Sequence, residues 1–123
     1  MDKPLVSVVM AAFNLGTNKI LDAAIHSVVQ QDFESWELLI CDDGSTDGTY
    51  EQALEWESRE PRIRVLRNDH NQKAAVARNR CIAVARGEFV AIMDADDLCD
   101  SNRLRVQVEF LIANPSGCRL WRS

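Results

Sequence analysis

Four short apolar runs punctuate the chain, each followed by a polar break. Leu5 to Ala12, Trp36 to Cys41 and Phe89 to Met93 are nearly continuous in apolar residues, as expected of strands covered on both faces in a parallel sheet. Ile63 to Leu66 differs because Arg62, Arg64 and Arg67 alternate with its apolar residues, which predicts an edge strand. Between the runs the apolar period changes to that of a helix. From Asn18 to Gln31, Ile20, Leu21, Ala24, Ile25, Val28 and Val29 form one stripe. Ser45, Thr46 or Asp47 can cap a second helix reaching about Glu57, with Tyr50, Ala53 and Leu54 inward and Pro61 closing the segment. A third is predicted over Gln72 to Arg86, stopping at Gly87. A fourth, capped by Asp100 or Ser101, turns Leu104, Val108, Leu111 and Ile112 inward and ends at Asn114 and Pro115.

Strands alternating with helices predict an α/β fold, a Rossmann-like parallel sheet flanked by helices. In the common strand order 3-2-1-4, strand one lies between strands two and four, and ligands bind beside it where the order reverses. All strands point one way, so Ala11 to Asn14, Asp42 to Asp47 and Asp94 to Asp97 are expected to meet at one sheet edge.

The 123 residues make one domain, and 14 Lys and Arg against 19 Asp and Glu leave a formal charge of −5. That balance lacks the attraction that drives binding to nucleic acid or to an anionic membrane. The acid is clustered: seven of eleven aspartates fall at Asp42, Asp43, Asp47, Asp94, Asp96, Asp97 and Asp100. Cys41, Cys81, Cys99 and Cys118 show no metal or redox spacing, so reduced thiols in a cytoplasmic protein are expected. Leu5 to Phe13 is too short to span a bilayer and has neither a basic leader nor a cleavage site.

Packing carboxylates a few ångströms apart costs about 4 kcal/mol per close pair at an effective dielectric near 20, unless a cation or proton lies among them. A hard divalent ion, Mg2+ or Mn2+, answers that need. Such ions are held by one or two carboxylates while phosphate oxygens complete the shell, which makes a nucleotide diphosphate the natural companion. Other acidic motifs fail on detail. A calcium loop starting at Asp43 has Leu54 at its twelfth position, and one starting at Asp94 has Leu98 and Cys99 where a ligand and a glycine belong. A receiver domain needs its acidic pair after the first strand, and a dinucleotide fold needs a glycine fingerprint there; this strand ends Ala-Phe-Asn. An aspartyl phosphohydrolase using Asp94 lacks a threonine or serine partner directly after Asp97.

Several residues carry plain readings. Asp47 is expected to cap a helix, Asn14 to bond backbone in its own turn, and Lys73 to stand on the surface of a first helical turn. Arg78 is expected to touch a phosphate or to pair with Asp42 or Asp94. His26 reads as solvated and His70 as a turn residue without a catalytic partner. Trp36 and Trp56 read as packing residues, and Trp121 as apolar surface.

The motifs Val6-Ser7-Val8-Val9-Met10-Ala11-Ala12-Phe13-Asn14, Gln30-Gln31-Asp32-Phe33 and Trp36-Glu37-Leu38-Leu39-Ile40-Cys41-Asp42-Asp43-Gly44-Ser45-Thr46-Asp47 resemble the family 2 glycosyltransferases. So do Asn71, Ala77-Arg78-Asn79, Gly87-Glu88-Phe89 and Asp94-Ala95-Asp96-Asp97, in the same order over nearly the whole chain. Ala11 stands where the family commonly has proline, Phe13 where tyrosine is commoner, and Lys73 and Cys81 where glycine is frequent. The resemblance implies the GT-A fold and transfer of a sugar from a nucleotide-diphosphate sugar, UDP-linked by expectation, to an acceptor hydroxyl with Mg2+ or Mn2+. It implies a nucleotide-binding set of Ala11, Ala12, Phe13, Asn14, Asp42, Asp43, Lys73, Asp94 and Ala95, with Asp43 accepting a hydrogen bond from the base. It further implies that Asp94 and Asp96 form a DxD-type motif, with Asp96 or Asp97 on the metal and its neighbour near the ribose.

Inverting members of the family place the catalytic base farther along the chain, so the base is expected beyond Ser123 and none of residues 1–123 is assigned that role. Residues 1–123 are therefore expected to be the donor-binding portion of a longer polysaccharide-building enzyme, lacking the acceptor half and binding nucleotide better than they transfer sugar. The acceptor is expected to be a saccharide or a lipid-linked molecule, which would bring a cytoplasmic protein to the inner face of the membrane. The competing expectation is a non-catalytic nucleotide-binding module of the same fold.

Overall fold

The computed structural model describes residues 3–16, 19–113 and 120–122, the last three as backbone. The elements are β1 (Val6–Ala12), α1 (Ile20–Val29), β2 (Trp36–Asp42), α2 (Thr49–Arg59), β3 (Ile63–Arg67), α3 (Ala74–Val84), β4 (Phe89–Ile92), α4 (Arg103–Ala113) and β5 (Leu120–Arg122). The sheet is parallel in the order β3-β2-β1-β4-β5, so its first four strands stand as the apolar pattern predicts, with β3 at an edge. The short β5, paired with β4 from Val90 to Ile92, is an addition that the pattern did not announce.

Alternation along the strands assigns the core. Val8, Met10, Leu38 and Ile40 face one side, where they pack with Leu21 and Ile25 of α1, Ala53 of α2 and Leu104 of α4. Val9, Leu39 and Cys41 face the other, against Ala77 and Cys81 of α3. The placement of α3 opposite α1 and α2 follows from handedness: a right-handed crossover that reverses the direction of sheet growth must run over the opposite face, and α3 makes that reversal between β3 and β4. Each fully buried Leu or Ile contributes about 1.5–3 kcal/mol relative to exposure.

Some expectations need correction. Ile112 is 61% exposed while Gln107 is buried, because the inner face of α4 runs through Leu104, Gln107, Val108 and Leu111. Ile20 is exposed at the first turn of α1, and Tyr50 and Leu54 are only half-buried on α2. Neither Asp100 nor Ser101 caps α4 with its side chain: the Leu104 N–H donates to Gln31 Oε1 at 3.0 Å. Trp36 is buried beneath the Arg62 guanidinium, and Trp56 Nε1 donates to Asp22 Oδ1 at 2.8 Å, joining α2 to α1. Cys41, Cys81 and Cys99 are free and buried. Cys118, the Asn114-Pro115 stop, the Trp121 side chain and Ser123 lie outside the described residues.

At the edge where the strands begin, Glu37 is buried within a closed network. Ser7 Oγ donates to Glu37 Oε2 (2.6 Å), Arg86 N to the same oxygen (2.7 Å), Arg86 Nε to Oε1 (3.2 Å) and Gly87 N to Ser7 Oγ (2.8 Å). A side chain on Gly87 would meet Ser7 N at 2.6 Å, so only glycine allows the loop before β4 to close on β1.

Candidate nucleotide site at the strand ends

The opposite edge, where β1, β2 and β4 end, carries the chemistry. β1 and β2 run in register to Ala12 and Asp42, and the Asp43 N–H donates to Ala12 O at 2.8 Å, which extends the pairing by one residue. On the other side of β1, Val9 pairs with Ile92 and the Met93 N–H donates to Val9 O at 3.0 Å. The chain then enters Asp94 beside the end of β1. Two strand spacings, about 10 Å, separate β2 from β4 across the sheet, and β4 ends opposite Val9 whereas β2 ends opposite Ala12.

A cleft of about 190 Å³ opens at the end of β1, lined by Ala11, Ala12, Phe13, Asp43, Asn71, Lys73 and Ala74. Five of these belong to the expected nucleotide set; Asn71 and Ala74 come in addition. Phe13 exposes much of its ring. Asp43 is nearly buried, and its Oδ1 accepts from Asn68 Nδ2 (2.8 Å) and from the Gln72 N–H (2.9 Å). Its Oδ2 has no hydrogen-bond partner among the described residues. The Asn68 amide is itself oriented, since Arg80 Nη1 donates to Asn68 Oδ1. Asn68, Gln72 and Arg80 escaped the sequence reading because their part is to aim Asp43, and no spacing marks that.

Gly44 lets this loop cluster close. It sits at φ 82°, and an added Cβ would lie 2.7–2.9 Å from the backbone of His70 and Asn71. Lys73 has φ 81° and ψ 154°, a region that costs a non-glycine residue about 1–3 kcal/mol, and its N–H donates to Asn71 Oδ1 at 3.0 Å. The Lys73 ammonium has no ion-pair partner among the described residues.

Two expected lining residues serve elsewhere. Asp42 is fully buried and does not line the cleft; its Oδ2 accepts from the Ser45 N–H (3.0 Å) with Arg67 Nε at 3.9 Å, and its Oδ1 has no hydrogen-bond partner among the described residues. Arg67 thus takes the place offered to Arg78. Asn14, at φ 47°, bonds a distant loop instead of its own turn: its Oδ1 accepts from the Thr46 N–H (2.9 Å) and its N–H donates to Ser45 Oγ (2.9 Å). The N-cap position of α2 falls to Gly48, without a side-chain cap bond, and Asp47 stands one residue before it, tying the first helical residue to the β1 loop. Its Oδ1 accepts from Thr49 N–H (3.1 Å) and Oγ1 (2.6 Å), while its Oδ2 accepts from the Gly16 N–H (2.7 Å). The Thr49 hydroxyl, with those backbone donors, holds the Asp47 carboxyl below the usual carboxylate range.

The acidic turn stands at the same edge but outside the cleft lining. Asp94, Asp96 and Asp97 are exposed, Ala95 is buried, and the Asp97 N–H closes the turn on Asp94 O at 3.1 Å. No ion pair reaches the three carboxylates among the described residues, and no three His, Cys, Asp or Glu side chains converge there or elsewhere among them. Exposed, unpaired, hard oxygen donors fit a Mg2+ or Mn2+ ion held by one or two carboxylates, with phosphate oxygens completing its shell. The catalytic base expected beyond Ser123 falls outside the described residues, which end at Arg122.

Together, the switch-point cleft and the acidic turn beside it define an α/β protein of the GT-A fold. The family model described as glycosyl transferase family 2 matches residues 7–120, and the chain belongs to that family. It is 39% identical over 114 residues to the Escherichia coli UDP-Glc:alpha-D-GlcNAc-diphosphoundecaprenol beta-1,3-glucosyltransferase WfgD, covering 93% of this chain and 44% of that protein. It is likewise 39% identical over 110 residues to the Bacillus subtilis putative teichuronic acid biosynthesis glycosyltransferase TuaG, covering 89% of this chain and 43% of that one. The chain therefore spans less than half the length of these relatives.

Two solved structures share its fold. S. aureus TarS 1-349 in complex with UDP superposes with a TM-score of 0.78 at 26% identity, covering 88% of this chain and 32% of that one. The mannosyltransferase PcManGT from Pyrobaculum calidifontis in complex with GDP-Man and Mn2+ gives 0.80 at 26% identity, covering 90% and 33%. No helix among the described residues is long and apolar enough to cross a membrane.

Proposed function

We propose that residues 1–123 form the donor-binding half of a metal-dependent glycosyltransferase that moves a sugar from a UDP-linked donor to an acceptor hydroxyl. The observation that carries this reading is the cleft at the end of β1, with a half-engaged Asp43 carboxylate in its wall. At about 190 Å³ it is smaller than the roughly 300 Å³ at which pockets for whole drug-sized ligands begin, so it suits the base and leaves the rest of the donor to run along the sheet edge. Asp43 Oδ2 accepts the ring N–H of a uracil, the Phe13 ring stacks, and the Lys73 ammonium donates to a base carbonyl or neutralises phosphate.

The diphosphate then lies toward Asp94 and Ala95, with the cation on Asp96 and Asp97. A cation held by Asp96 and Asp97 would supply positive charge against the departing diphosphate. In an inverting transfer the acceptor oxygen forms its bond to the anomeric carbon as the bond to the diphosphate breaks, and a base removes the acceptor proton. We assign that base to the acceptor half of the fold, beyond Ser123, so residues 1–123 bind donor without completing transfer. The lipid-linked substrate named for WfgD supports a saccharide or lipid-linked acceptor, met at the inner membrane face by a cytoplasmic protein.

Isothermal titration with UDP tests the reading. Saturable binding is expected, strengthened by Mn2+ and weakened about 10- to 100-fold in Asp43→Asn, which retains an oxygen for the loop but turns an NH2 group toward the base. No heat from folded protein at about millimolar UDP, or binding indifferent to Asp43→Asn, contradicts it.

A further inference from the structure

The segment that leaves the acidic turn is tied to the far end of α1 chiefly through the Gln31 side chain. Gln31 is 7% exposed; its Nε2 donates to Ser27 O (3.0 Å) and Asp100 O (2.6 Å), and its Oε1 accepts from the Leu104 N–H (3.0 Å). The last of these donors is one that the first turn of α4 leaves without a helical partner. Neighbouring bonds reinforce the tie. The Cys99 N–H donates to Ser27 Oγ at 3.0 Å and the Asp32 N–H to Ser101 O at 2.8 Å. Only a primary amide supplies two donors and an acceptor in this arrangement; a carboxylate cannot donate and a hydrocarbon does neither.

The acidic turn is therefore fastened at both ends. On entry, the Met93 N–H holds it to β1; on exit, Ser27 and Gln31 hold it to α1. Between these anchors stand three exposed carboxylates with no ion pair among the described residues. Like charges on a slack loop drift apart when empty and must be gathered when a cation arrives, so firm anchors favour the bound arrangement.

We propose that Gln31 is a positioning residue for the acidic turn, setting how strongly Asp96 and Asp97 hold a divalent cation beside a nucleotide diphosphate. The proposal rests on the metal-bound donor reading above. Its test is the gain in UDP affinity that Mn2+ confers, measured by titration of the whole chain with and without the ion. Gln31→Met keeps the length and removes all three bonds, Ser27→Ala removes one neighbouring anchor, and Glu37→Gln disturbs the opposite sheet edge as a control for general destabilisation.

The Mn2+ gain should fall about tenfold in Gln31→Met and by a smaller factor in Ser27→Ala, while metal-free UDP affinity and the Glu37→Gln gain stay within about twofold. Hydrogen exchange at the Cys99 and Leu104 amides should quicken in Gln31→Met. Should that variant not fold, Ser27→Ala alone decides. A Mn2+ gain unchanged in the Gln31 and Ser27 variants overturns the proposal and leaves the donor reading intact. An unaltered chain that gains nothing from Mn2+ removes the metal reading, and this proposal with it.

Discussion

Lys73 occupies a backbone conformation that suits glycine, at the lip of a cleft and with no ion-pair partner for its ammonium among the described residues. The strain persists because its neighbours determine the turn: the Gln72 N–H is held by Asp43 and the Lys73 N–H by Asn71. Lys73→Gly should therefore raise stability by about 1 kcal/mol, the relieved strain exceeding the added entropy of the unfolded chain. It should also weaken UDP binding severalfold. Thermal melts and titration check the two signs separately: a loss of stability would show that the lysine is not strained, and unchanged affinity that it is not engaged. Asp43 was legible as a candidate because it follows an apolar strand. Its orientation was not, since Asn68 and Arg80 reach it only through the folded loop.

Elements meet through buried polar ties that no periodicity reveals. Glu37 joins β1, β2 and the loop before β4, so Glu37→Gln, which removes the charge facing Arg86, should cost about 2–3 kcal/mol in urea denaturation. A change below about 0.5 kcal/mol would mean that the network is incidental. The four predicted strands, their parallel order and the edge position of β3 were readable from apolar runs and alternating arginines. Helix ends and faces were read less well. Leu104, Val108, Leu111 and Ile112 fit an inward stripe, but packing rotates α4 so that Gln107 enters and Ile112 leaves. The cap of α4 comes from Gln31, 73 residues away in the chain, beyond the reach of any local capping rule.

At the scale of the molecule, the sheet places an acidic turn and a cleft of about 190 Å³ at one edge beside the end of β1, and the proposed nucleotide diphosphate would span both. Paramagnetic broadening by Mn2+ in the presence of UDP measures that arrangement directly, because it acts on amides near the ion whatever the catalytic outcome. The account predicts loss of the Asp94 to Leu98 amide signals with weaker broadening at Ala11 to Phe13 and Asp43, all reversed by excess Mg2+. Broadening centred elsewhere, or UDP shifts that bypass Asp43 and Phe13, would contradict it.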